Sequence, residues 1–291
     1  MQLFGILVLA FAPGIFWLWL IYRSDKFRPE PRTLVIRTFL WGMAVSIPVV
    51  IVEHLLYPGT IDITQTSRLS LGSIAYLSFI VAGLTEELGK FLVVRKTVYD
   101  SPYFDEPMDG IIYSSASALG FASLENVGYL VMFGWQTILV RGPISTLGHV
   151  LFSVMWGYPL GLGKVGGPRI KVLTWFGLIA SMVTHGLFNF LLLAESSYSF
   201  FVIPLFIGAG ILFLLMLKHA RKISPFKEKI GELLINCPNC GNNISYYANF
   251  CTSCGVGLAE AKKKGTVLCS RCGAALTNKE SFCTSCGSRV T

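Results

Sequence analysis

The sequence predicts an all-α polytopic membrane protein, with about seven transmembrane helices followed by two small cytoplasmic zinc ribbons. Three observations carry this. Of 291 residues, 53% are hydrophobic and only 14% charged, where a soluble domain carries about 25% charged residues. The apolar residues gather in runs of roughly the 20 that a spanning helix needs. All eight cysteines lie in a polar region beyond residue 236, so the chain is built for two solvents.

Taken in order, the apolar runs place spans at 2–22, 34–57, 71–94, 111–133, 144–163, 172–194 and 199–217. This gives a transmembrane domain over 1–217, a basic linker over 218–236, and ribbons at 237–255 and 269–287. The first apolar run has neither the basic start nor the small-residue site of a cleaved signal peptide.

Orientation follows from the basic residues, which favour cytoplasmic loops. Arg23, Lys26, Arg28 and Arg32 fill the first loop, Arg95 and Lys96 the third, and Lys164, Arg169 and Lys171 the fifth. Arg68 and Arg141 stand alone in the second and fourth, and Lys218, Arg221 and Lys222 open the tail. The alternation places the N-terminus outside and the C-terminus in the cytoplasm of a cell-membrane protein. The net charge of +8 is thus assigned to the ends of apolar runs. Nucleic acid is not the expected partner.

Several spans keep polar groups that cost roughly 2.5–3.5 kcal/mol each at a helix centre on insertion scales. The third holds Glu86, Glu87 and Lys90; the fourth holds Glu125, Asn126 and Tyr129. The fifth holds His149, and the sixth His185 and Asn189. Glu86 and Lys90, four apart, share a face, and Glu87 and Lys90, three apart, also meet. Adjacent Glu86 and Glu87 point about 100° apart and so serve different ends. The small residues from Ser114 to Ser123 allow close helix approach.

These groups supply a base, its histidine partner and donors for an oxyanion, which is the equipment of a hydrolase. The same Glu and His residues also suit a divalent metal, although the H-E-x-x-H spacing is absent. A Glu/His-lined transporter or channel shares these features, and a non-catalytic scaffold recruiting partners through its ribbons is a further alternative. Glu53 and His54, near a span end, read as interfacial.

Here the chain resembles the PrsW family of intramembrane proteases. The resemblance rests on Glu86-Glu87-Leu88-Gly89-Lys90, on Asp109 to Tyr113 leading into Gly120-Phe121-Ala122-Ser123-Leu124-Glu125-Asn126-Val127-Gly128-Tyr129, on His149, and on His185-Gly186-Leu187-Phe188-Asn189. Pro29-Glu30-Pro31 also looks familial, and Ser114 stands where a glycine is expected. The wider kinship is with CAAX-type and bacteriocin-protection endopeptidases. It implies that Glu86 and His149 activate water, that Glu87 with Lys90 orients, and that His185 and Asn189 form an oxyanion hole; Glu125, without a definite counterpart there, and Asn126 are expected to support. It favours metal-free activation by Glu86, with an active-site metal as the open alternative. It also implies a membrane-anchored protein substrate resembling a single-span anti-sigma factor.

One mismatch stands out. Glu86 falls about 10 Å nearer the inner face than His149, Glu125 and His185 at 1.5 Å per residue. A tilt, or a break of the third helix near Gly83, would close the gap.

In the tail, Cys237, Cys240, Cys251 and Cys254 repeat as Cys269, Cys272, Cys283 and Cys286. Each unit is two C-x-x-C turns ten residues apart, and each turn is followed by glycine. That spacing builds a tetrahedral thiolate site, so each ribbon is expected to hold a structural Zn2+. A cytoplasmic protein partner for the ribbons is the remaining expectation.

Overall fold

A computed structural model describes residues 3–57, 69–166, 168–194, 198–226, 233–245, 251, 254–258, 267–269 and 275–276. The chain divides into two units, Met1–Ile223 and Ser224–Thr291.

In the first unit, α1 spans Leu3–Tyr22 and α2 Arg32–Leu56. The next stretch has three parts, α3 (Leu71–Ala75), a π-helix (Tyr76–Leu84) and α4 (Thr85–Thr97). Then come α5 (Pro107–Phe133) and α6 (Gln136–Val140). A second π-helical turn (Arg141–Ser145) leads into α7 (Thr146–Val165). The unit ends with α8 (Pro168–Leu193), a 3-10 turn (Ser199–Phe201) and α9 (Val202–Ile223).

Among the described residues, five helices are long and apolar enough to cross a membrane: those at Gly5–Tyr22, Arg32–Leu56, Pro107–Phe133, Val172–Leu193 and Ser199–Ile223. The stretches 71–97 and 136–165 differ for a physical reason. The first carries Glu86, Glu87, Lys90, Arg95 and Lys96; the second carries Arg141 and Lys164, and each is interrupted by π-helix. The exterior is apolar, with Leu55, Phe176 and Phe200 more than half exposed, a surface suited to lipid.

α5 is the central helix, buried on all sides over its first seventeen residues, Pro107 to Ser123. The expected small-residue packing is present. A Cβ on Gly120 would lie 2.0 Å from the Phe39 carbonyl oxygen of α2, and one on Gly157 of α7 would lie 2.4 Å from Ser114 Cβ. Ser114, the departure from the family pattern, bonds the Ile111 carbonyl of its own helix. Backbones this close bring facing polar side chains within hydrogen-bond range.

The break expected near Gly83 is the π-helix itself. There a Cβ on Gly83 would lie 2.6 Å from the Met182 carbonyl oxygen of α8. The Thr85 hydroxyl, just after it, caps the Val81 carbonyl.

The second unit contains a four-stranded antiparallel sheet ordered β2-β1-β3-β4. Its strands are β1 (Leu233–Asn236), β2 (Asn243–Ser245), β3 (Val267–Cys269) and β4 (Ala275–Leu276). Two boundaries move. The helix expected to stop at 217 continues to Ile223, because Lys218, His219 and the residues after them prolong it as a polar end. The segment 218–236 is not all linker, since Leu-Leu-Ile-Asn at its end is a strand.

Candidate functional site

The polar groups of four helices meet between α4, α5, α7 and α8. Glu86, Glu87 and Lys90 come from α4, His149 from α7 and His185 from α8, all nearly inaccessible to solvent. The expected axial offset is closed. Lys90 Nζ lies 3.0 Å from Glu86 Oε2, 2.9 Å from Glu87 Oε1 and 2.9 Å from His149 Nδ1.

Glu87 is saturated. Its Oε2 accepts from Ser153 Oγ at 2.8 Å, Trp156 Nε1 at 3.1 Å and Ser181 Oγ at 2.8 Å. Its Oε1 accepts from Lys90 and pairs with His185 Nδ1 at 3.0 Å. Each lone pair of this carboxylate has a donor, so it can orient neighbours but has no capacity left to take a proton from water.

The two histidines are arranged alike. His185 gives Nδ1 to Glu87 and turns Nε2 towards Glu86 Oε2 at 3.8 Å. His149 brings Nε2 to 3.0 Å from Glu125 Oε2 and turns Nδ1 towards Glu86 Oε2 at 3.7 Å. The rings meet edge to face, with centroids 5.2 Å apart. A carboxylate lies behind each imidazole; the Glu87 bond fixes the tautomer and aim of His185, and the Lys90 ammonium, which can only donate, makes Nδ1 of His149 the acceptor.

Glu86, His149 and His185 each offer one ligand atom within 4.8 Å of the others. Two imidazoles and one carboxylate are the protein donors of a catalytic zinc site. The residues therefore fit a metal, and the carboxylates behind both histidines strengthen the fit. Lys90 is the counterargument, because its ammonium already binds Glu86 and His149.

Other expected residues divide. Glu125 is at the site, between His149 and Arg141, and Arg141 NH2 lies 2.8 Å from Glu125 Oε1. Asn126 is not. Its Nδ2 bonds the Ala10 carbonyl at 3.3 Å and Thr146 Oγ1 at 3.1 Å, tying α5 to α1 and α7. Asn189 lies one turn beyond His185 and is partly exposed.

Two residues at the site escaped the sequence reading. Arg141, placed in a loop, stacks 3.5 Å over the Tyr129 ring from the π-helical turn before α7. Glu53, taken as interfacial, accepts from Thr85 Oγ1 at 3.2 Å, beside Glu86. The lone arginine of an otherwise uncharged loop was the available signal for the first.

The tail holds a second, separate centre. Cys237, Cys240, Cys251 and Cys254 offer four sulfurs within 4.8 Å of one another. The Cys237–Cys254 and Cys240–Cys251 sulfurs are 3.5 and 3.6 Å apart. Zinc at about 2.3 Å from each of four thiolates sets sulfurs about 3.8 Å apart, so the quartet fits the ion. Both turns close alike. Gly241 N–H donates to the Cys237 carbonyl and Gly255 N–H to the Cys251 carbonyl, each at 2.9 Å. Both glycines have positive φ, 72° and 74°, where a side chain would be strained. Cys272, Cys283 and Cys286 lie outside the described residues, as does the side chain of Cys269.

Comparison with known proteins agrees on both parts. A family described as PrsW family intramembrane metalloprotease matches residues 30–217, and one described as double zinc ribbon matches 237–287. Protease PrsW of Geobacillus kaustophilus is 33% identical over 69% of this chain and 85% of its own length. Protease PrsW of Bacillus subtilis is 30% identical over 76% of this chain and 98% of its own. That of Oceanobacillus iheyensis is 31% identical over 75% and 97%. No solved structure matches. The buried Glu–His centre, the apolar helices and these matches together establish that the chain belongs to the PrsW family of multi-pass membrane proteases, with a double zinc ribbon at its C-terminal end.

Proposed function

We propose that the protein is an intramembrane endopeptidase that cuts a membrane-anchored protein at the Glu86 centre. The observation that carries this is the pair of histidines aimed at one carboxylate, each backed by its own acidic residue. A structural ion pair needs only Glu86 and Lys90.

Glu86, His149 and His185 would hold a zinc-type ion, which when bound supplies a water of lowered pKa and an electrophile for a peptide carbonyl. Glu87 keeps the His185 proton on Nδ1, so Nε2 presents a lone pair to the centre. This moves His185 from the oxyanion hole to the ligand set, leaving Asn189 and the Lys90 ammonium as candidate donors to an oxyanion. Lys90 also offsets the charge of two adjacent carboxylates. The π-helix before Thr85 and the buried walls of α5 and α7 keep bulk water out. The basic-loop pattern supports an outside N-terminus and a cytoplasmic tail, with seven spans. The substrate is a single-span protein of the anti-sigma-factor kind, and the ribbons recruit a cytoplasmic protein.

The test compares membrane peptide termini in cells expressing wild type or Glu86→Gln at equal levels. New termini in single-span proteins with the wild type alone are the expected result. Identical termini, with both proteins folded and ion flux dependent on Glu86, would make the protein a transporter instead.

Arg141 supplies a second check. By fixing Glu125, it fixes His149 one step from the chemistry. Removing such an outer partner typically costs 10–100-fold in activity or metal affinity. Arg141→Ala is expected to lose that much in kcat with KM little changed, and Arg141→Lys to recover part. Equal loss in both, with a lower melting temperature, would reduce Arg141 to a packing residue.

A further inference from the structure

The opposite end of α5 holds carboxyl groups that the proteolytic centre does not use. Asp25 and Glu30 lie in the loop between α1 and α2; Glu106 and Asp109 open α5. Their exposures are 6%, 3%, 1% and 0%. One carboxylate oxygen from each of Asp25, Glu106 and Asp109 lies within 4.8 Å of the other two. Asp109 is 16 residues from Glu125, about 24 Å along the helix.

Helix capping explains part of this cluster. Asp109 Oδ2 accepts from the Asp105 and Glu106 backbone N–H groups, both at 2.7 Å, within a capping box shared with Glu106. Asp25 Oδ1 likewise accepts from Phe27 and Arg28 N–H at 3.1 and 3.3 Å. These bonds fix the two aspartates and leave Asp25 Oδ2 and Asp109 Oδ1 buried with no geometric hydrogen bond among the described residues, Asp109 lying against the Glu30 carboxyl. Two arginines stand near, and Arg221 attracts the Asp25 carboxylate through space. Arg28 pairs with Asp105, and Arg221 gives Nε and NH2 to the Ser24 carbonyl at 2.9 and 2.6 Å. Buried anionic oxygens without donors are costly. Burial pushes Asp25 above its ordinary pKa, and pushes Glu30 up to about 7.

We propose that Asp25, Glu106 and Asp109 form a second cation site, for a hard divalent ion of calcium size, distinct from the Glu86 centre and from the ribbons. The donors are all oxygen, as such ions require, and none is the thiolate or imidazole that selects zinc. Calcium binds oxygen at 2.3–2.6 Å, so two ligands of one ion lie at most about 5 Å apart, which the 4.8 Å limit meets. Capping accounts for one oxygen of each aspartate; the ion takes the other and ties the first loop to the start of α5.

Terbium, a luminescent substitute for calcium, provides the test on the full-length, zinc-loaded protein. Tyr22 donates to the Glu30 carbonyl at 2.8 Å and Tyr113 to the Glu30 carboxylate, so tyrosines stand beside the site to sensitise emission. Saturable emission displaced by Ca2+ is expected in wild type and in Glu86→Gln, with at least tenfold weaker binding in Asp25→Asn. Undiminished emission in Asp25→Asn, emission lost in Glu86→Gln, or no saturable emission would each overturn the proposal. The melting temperature of the wild type should also rise with added Ca2+. This readout needs no variant to fold, and no rise would overturn the site equally.

Discussion

Glu87→Ala is expected to abolish stable folding of the membrane unit, a larger structural effect than any change at Glu86. The carboxylate is fully buried and receives Lys90, His185, Ser153, Trp156 and Ser181. Deleting one partner of a buried charge network costs roughly 3–5 kcal/mol, because the remaining charge stays desolvated. Total stabilities are about 5–15 kcal/mol. Thermal melting in detergent should show the loss as a sharply lower midpoint or as aggregation. Glu86→Gln should melt near the wild type while losing cleavage, since the amide keeps an acceptor for Lys90 and removes the charge. A Glu87→Ala protein that melts normally would mean that Lys90 finds its countercharge elsewhere, and the orienting role would fall.

The second large effect concerns the tail. A ribbon is too small for a sizeable core, and structural zinc contributes about 10–16 kcal/mol of apparent binding energy to such modules. Cys240→Ala removes one of four ligands, so the first ribbon is expected to unfold. The consequence should spread. β1 pairs with β2 on one side and with β3, the first strand of the second repeat, on the other. Zinc content per chain is therefore expected to fall by more than one ion, measured by elemental analysis after dialysis. Loss of one ion alone would mean that each repeat folds without the shared sheet. Cleavage by the membrane unit is expected to persist, which separates a protease from a scaffold acting through its ribbons.

Much of the centre was legible from spacing. Four-residue spacing placed Glu86 and Lys90 together, and their contact is 3.0 Å. The cysteine spacing likewise foretold the described thiolate quartet. Adjacency was less informative. Glu125 and Asn126 were grouped as supporting residues, yet neighbours on a helix diverge by about 100°, and Asn126 turns to α1. Arg141 and Glu53 were missed because composition assigned them to a loop and an interface. Only the tertiary packing shows that these ends fold back onto the site. Leu233–Asn236 was read as linker because four residues carry too little period to mark a strand. The count of about seven spans compares with five helices that qualify by length and apolarity. The two stretches that fall short are those that spend their apolar character on the Glu–Lys segment and on His149.

The π-helical stretch from Tyr76 to Leu84 has a consequence for how such a helix can change over time. Each residue of an α-helix advances about 100° around the axis, and a π-bulge amounts to one extra residue inserted into that rotation. The lipid-facing pattern of α3 and the inward direction of Glu86 are therefore set in separate registers, with the wide turns as the adjustable joint. Substitutions on α3 can drift with the bilayer without rotating the acid pair. Loss of a single residue between Tyr76 and Leu84 would swing both glutamates off the histidines while leaving every motif in the sequence intact.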